Sequence, residues 1–172
     1  MQQKKSKTIP LGSLTEKFLP ADYLVVHNFV VDTESEIVAD DILVIFFTDF
    51  PIWVNVLFKL RNFMAKFVGL KSSEGSDLEE IEKCIRTGKA YRLGSIPAKS
   101  DNETVLLLSD KHLDAYISIL VENEENRKTV STNILVHFKN RLGRIYLSVI
   151  RPFHGAVIKN MLKRAVNKAV KD

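Results

Sequence analysis

Cysteine is nearly absent. Cys84 stands alone among 172 residues, so no disulfide can close within the chain and a cysteine-based metal site lacks a second thiolate. Long apolar runs are missing too. The longest, Ile42 to Phe47 (ILVIFF), is far shorter than the roughly 20 residues that cross a bilayer. The start, MQQKKSKTIPLGS, is basic but no apolar stretch follows it, so no signal peptide is expected. These features together point to a cytoplasmic protein. The four histidines, at 27, 112, 137 and 154, form no H-x-x-x-H or H-E-x-x-H pattern, which argues against a metal. His112 and Asp114 are two residues apart but lack a third ligand in sequence. There is no G-x-S-x-G, and Cys84 sits among acids that disfavour a thiolate, so nucleophilic catalysis is weakly supported. There are no repeats and no low-complexity segment, and no cofactor is expected.

What is present is ordinary globular composition: 45% hydrophobic and 27% charged residues. At this length folding hides roughly 70% of the unfolded surface, enough for a sizeable core. The net charge of +4 conceals an asymmetry. From Lys139 onward there are nine Lys/Arg and one acid, Asp172; the remainder holds 16 basic and 20 acidic residues.

Residues 1–18 read as a loose lead-in, and 19–172 as a single domain. YLVVHNFVVD predicts a strand over about 22–32. Ser35 is a plausible N-cap for the helix that Val38, Ile42, Ile45 and Phe46 trace, although ILVIFF also suits a buried strand. Pro51 opens the clearest helix, PIWVNVLFKLRNFMAKFVG, ending at Gly69. Ser76 and Glu79 form a capping box before a short acidic helix that stops at Gly88. From Lys89 the pattern turns to period two: AYRLGSIP, ETVLLLSD, HLDAYISILVE and KTVSTNILVHFK predict an antiparallel meander. Leu113, Ala115, Ile117, Ile119 and Val121 share one face of their strand, and Asp114, Tyr116, Ser118, Leu120 and Glu122 the other. One apolar and one mixed face suggest a sheet covered on one side.

The stretch KNRLGRIYLSVIRPFHG is helical by spacing. Leu142, Ile145, Tyr146, Val149, Ile150 and Phe153 form one arc. Beyond Pro152, His154, Val157, Ile158, Met161, Leu162, Ala165 and Ala169 form a second, displaced by roughly 100°. A helix that kinks or breaks at Pro152 and turns both arcs inward would reconcile them. On that reading Tyr146 and His154 point inward, while Arg144 and Arg151 face solvent or a neighbouring loop. The whole is an α+β protein, an antiparallel sheet wrapped around a long terminal helix.

Four strings carry a resemblance: PADYLVVHNF, PIWVNVLFKLRNFMAKFVGLK, SDKHLDAYISILV and STNILVHFKNRLGRIYLSVIRPFH. Together they resemble a bacterial branch of the START-like (SRPBCC) superfamily over about residues 19–165. The sequence departs from that pattern at Ser109, Ala115 and Gly155. The resemblance implies the helix-grip fold, a curved sheet around a C-terminal helix. It also implies, from the wider superfamily, binding of lipids, polyketides or other apolar molecules, with some members acting as cyclases or hydrolases. The branch also occurs joined to NAD(P)-binding epimerase-like domains, but this chain has no G-x-G-x-x-G. No catalytic set is established for the branch.

Three functions follow. The first is a module holding a small apolar molecule, with Trp53, Tyr116, Tyr146 and His154 at the wall of its seat. The second is a cyclase- or hydrolase-type enzyme using His137 or His154 as acid or base with Asp114 or Tyr116. The third is contact with an anionic membrane through the basic C-terminal helix. Its basic residues project at scattered angles, not as one contiguous patch, which makes membrane contact the weakest of the three, and no ladder of aromatics accompanies them, so nucleic acid is not expected as a partner. Nothing in the sequence sets an oligomeric state.

Overall fold

The computed structural model describes residues 2–6, 8–49, 76–91 and 94–170. The helix expected over 51–69, with Trp53, lies outside them. The described elements run β1 (Gln2–Ser6), a 3-10 turn (Leu14–Phe18), β2 (Tyr23–Asp32), α1 (Ala39–Thr48), α2 (Ser76–Thr87), β3 (Gly94–Lys99), β4 (Glu103–Ser109), β5 (Leu113–Glu124), β6 (Arg127–Phe138) and α3 (Arg141–Ala169). The six strands form one antiparallel sheet in the order β1-β2-β6-β5-β4-β3. The expected meander is therefore present as β3 to β6. β3 lies at an edge, where Pro97 falls within a register shift and removes no interior ladder bond.

The two faces of the sheet differ. Val25, His27, Phe29, Ile117, Ile119, Val130, Ile134 and Val136 alternate onto the face that meets α1 and α3. There Ile42, Leu43, Phe46, Leu147, Ile158, Met161, Leu162 and Ala165 close the main core. α2 packs behind α1, contributing Ile81, Cys84 and Ile85. It stops at Gly88, which takes φ of +70° at no steric cost and donates its N–H to the Cys84 carbonyl at 2.8 Å.

The opposite face is also covered, which corrects the expectation of a one-sided sheet. Its buried residues are Val105, Leu120 and Leu135 with Glu103, Ser118, Ser131 and Asn133. The segment expected as a loose lead-in lies across them. The Ser13 hydroxyl donates to Glu103 Oε1 at 2.7 Å and the Leu14 N–H donates to Oε2 at 2.6 Å. Asn133 Nδ2 donates to Ser13 Oγ at 3.2 Å and to Ser118 Oγ at 3.1 Å. Glu103 and Asn133 on this face thus bind backbone and hydroxyl groups of the protein.

Two further expectations change. Ser35 is not the cap of α1: it donates its N–H to Thr33 Oγ1 in the preceding turn, and Val38 holds the cap position without a side-chain hydrogen bond. Asp40 and Asp41 in the first turn offset this, since negative charge there suits the helix dipole. Nor does the terminal helix break at Pro152; α3 is continuous from Arg141 to Ala169 with the exposed proline inside it.

Candidate functional site: a part-buried tyrosine–histidine pair between strand and terminal helix

Period two along β2 places Tyr23 and His27 on the helix-side face, four residues apart. α3 crosses above them and brings His154 down onto β2. The Tyr23 hydroxyl and His154 Nδ1 are 3.2 Å apart, within hydrogen-bonding distance. Their rings are tilted, with centroids 5.6 Å apart. Arg151, one turn earlier on α3, lies over the Tyr23 ring at 5.8 Å. The surroundings are Val25, Ile134, Val136, Ile158 and other members of the main core.

This environment sets the protonation of the pair. Loss of hydration, with a smaller contribution from the nearby His27, lowers the His154 pKa from its usual 6.5 to about 4. Burial raises the Tyr23 pKa, which Arg151 partly offsets. At neutral pH the pair is therefore an uncharged imidazole against an uncharged phenol. It can exchange hydrogen bonds but is poorly matched to take up a proton.

A pH dependence of stability follows. The unfolded chain protonates His154 near pH 6.5, whereas the folded chain does so only near pH 4. The contribution of the buried neutral ring is complete above pH 6.5 and is lost as the pH falls towards 4. At pH 5 the loss is about 2 kcal/mol. Urea denaturation at pH 7 and pH 5 should show this difference in the native chain and a smaller one in His154→Phe. An equal slope in both would exclude His154 as its source.

The remaining candidates lie elsewhere. Asp114, Tyr116 and His137 alternate onto the other face of the sheet, so the strands separate them from His154. Tyr116 stacks on Phe18 at 4.2 Å, and its ring meets that of His137 edge-on at 5.6 Å. Asp114 is opposite His137 in register, but its carboxylate pairs with Lys139 at 2.7 Å. Tyr146 is half-buried on α3, two turns or about 12 Å along the helix from His154. Trp53 is outside the described residues. His154 is thus joined by Tyr23 and His27, neither of which was a sequence candidate. The signal for both was the alternation of YLVVHNFVV, which sets Tyr23, Val25, His27 and Phe29 on one face.

A second cluster fixes α3 at its start. Asn140 Oδ1 accepts the N–H groups of Leu142 (3.0 Å) and Gly143 (3.2 Å), capping the helix. The same oxygen is 3.1 Å from His112 Nδ1, and Asn140 Nδ2 donates to the Lys111 carbonyl at 3.0 Å. Lys139 donates its N–H to the His112 carbonyl at 2.8 Å and its ammonium to the Asp110 carbonyl at 2.7 Å. Asp22 accepts the Phe138 N–H at 2.8 Å and lies 3.6 Å from Arg144. The strings PADY, SDKHLD and KNRLGR therefore meet at one end of the sheet, and PFH closes on Tyr23.

Among the described residues no group of three or more His, Cys, Asp or Glu side chains could hold a metal, and no helix is long and apolar enough to cross a membrane. The arrangement defines a class: an α+β domain whose antiparallel sheet carries a long C-terminal helix, the two joined by a part-buried, neutral tyrosine–histidine pair. The chain belongs to the family described as protein of unknown function DUF2867, whose model matches residues 20–161. No curated protein and no solved structure matches the chain.

Proposed function

We propose that the protein is a binding module for a small, mainly apolar molecule carrying one hydrogen-bonding group, seated between the helix-side face of the sheet and α3. One observation carries the reading. Tyr23 and His154 form an uncharged polar pair inside an apolar layer, and such a pair can orient a ligand without charging it. The resemblance to the START-like superfamily supports it, with the helix-grip arrangement as the corresponding fold. Trp53 and Tyr146 are proposed for the wall of the same seat. The lone cysteine favours the cytoplasm as the compartment.

The enzyme reading is weaker. A histidine with a pKa near 4 is a poor base at neutral pH, and the sheet separates it from Asp114, Tyr116 and His137. Native mass spectrometry of the purified protein tests the proposal: a bound organic mass is expected on the native chain, and less of it on the Tyr23→Phe/His154→Phe double variant.

A further inference from the structure

Four residues of the first apolar arc of α3 are exposed. Leu142 is 41% accessible, Ile145 60%, Val149 47% and Phe153 55%. They recur at i, i+3, i+7 and i+11 and make one continuous stripe along three turns. The helix presents a different side to the sheet, through Gly143, Leu147, Ile158, Met161 and Leu162. A stripe of four large apolar side chains facing water is costly and marks a contact surface.

Charge identifies the partner. Over Arg141–Ala169 the helix has seven Lys/Arg and no acid. Arg144, Arg151 and Arg164 are engaged by Asp22, the Tyr23 ring and Asp49. Arg141, Lys159 and Lys163 make no ion pair among the described residues; helical projection puts them at angles next to the stripe, with Arg141 just before its first residue and Lys159 and Lys163 beyond its last. A second copy of the chain would set two such helices cation against cation, which opposes self-association. Nucleic acid would offer phosphates but nothing to take up aliphatic side chains. An anionic lipid surface satisfies both features, since acyl chains accept the stripe and headgroups pair with the flanking cations.

We propose that the exposed side of α3 docks on anionic membrane surfaces, with Leu142, Ile145, Val149 and Phe153 entering the interface and Arg141, Lys159 and Lys163, at either end of that stripe, pairing with headgroups. The proposal does not depend on the ligand seat, and His154→Phe should leave it intact. The test is flotation of the full chain with phosphatidylcholine vesicles, with and without about 30% phosphatidylglycerol. The native protein should bind the anionic vesicles and release them as salt rises. Val149→Ser/Phe153→Ser should weaken binding by at least about tenfold, and Lys159→Glu/Lys163→Glu should do likewise. Unchanged circular dichroism would confirm that these exposed positions leave the fold intact. No preference for anionic vesicles, or equal binding by the Val149→Ser/Phe153→Ser variant, would overturn the proposal. A dimer in sedimentation that the same variant dissolves would also overturn it, assigning the stripe to a second copy.

Discussion

Replacing Glu103 with alanine will lower stability by about 3 kcal/mol, a fall in melting temperature of roughly 6–12 °C at this chain length. The carboxylate is 1% exposed, and its two oxygens take the Ser13 hydroxyl and the Leu14 N–H. Truncation strands both donors beneath the 3-10 turn and opens a void against the sheet. Ser13→Ala removes one donor of the same set and should cost only about 1 kcal/mol. The pair of variants separates the clamp from general core loss, and thermal denaturation reads both. Amide exchange should accelerate over residues 10–18 in Glu103→Ala. A loss below about 1 kcal/mol would mean that the N-terminal segment contributes little to the fold.

The second large effect is expected at Gly143. Alanine is the better helix former by about 1 kcal/mol, so propensity alone would make Gly143→Ala stabilising. Its position reverses the sign. A Cβ there would overlap the backbone carbonyl of His112. That carbonyl cannot give way easily, because it accepts the Lys139 N–H while Asn140 grips the same turn. We expect a net loss of about 2 kcal/mol. Gly155, on the same helix, is the control: a Cβ there meets nothing within 4 Å, so Gly155→Ala should stabilise by about 0.5–1 kcal/mol. Urea denaturation of the two variants compares them directly, and stabilisation by both would mean that α3 does not approach the β4–β5 turn so closely.

Much of the fold was legible because local periodicity and tertiary burial agree. HLDAYISILVE and KTVSTNILVHFK alternate cleanly, and the apolar set of each faces the helices. α1 is legible through the helical spacing of Val38, Ile42, Ile45 and Phe46, although its cap is not. The N-terminal clamp was hidden because Ser13, Thr15 and Glu103 have the composition of a surface. Only long-range pairing, across 90 residues for Ser13 and Glu103, turns them inward. α3 was misread for a related reason. Periodicity shows that an arc is apolar but not what covers it, so it turns both arcs inward and allows a break at Pro152 that the structure does not have. The continuous helix leaves Leu142, Ile145, Val149 and Phe153 of the first arc exposed and buries most of the second.

The candidate site was half legible. His154 was singled out from the second arc. Tyr23 and His27 were not, because a strand does not indicate which residue of a distant helix will cross it. Asp114 and His137, candidates as acid and base, are paired in register, yet they lie on the wrong face to reach His154. Gly143 is explained only by the His112 carbonyl, which sequence spacing does not reveal.

Native mass spectrometry tests the central claim most directly, namely that the neutral Tyr23–His154 pair serves an apolar ligand. The account expects the native chain to carry a discrete, solvent-extractable organic mass under gentle ionisation. The folded Tyr23→Phe/His154→Phe variant should carry much less of it. A folded native chain at its bare polypeptide mass, or equal retention by the double variant, would contradict the account.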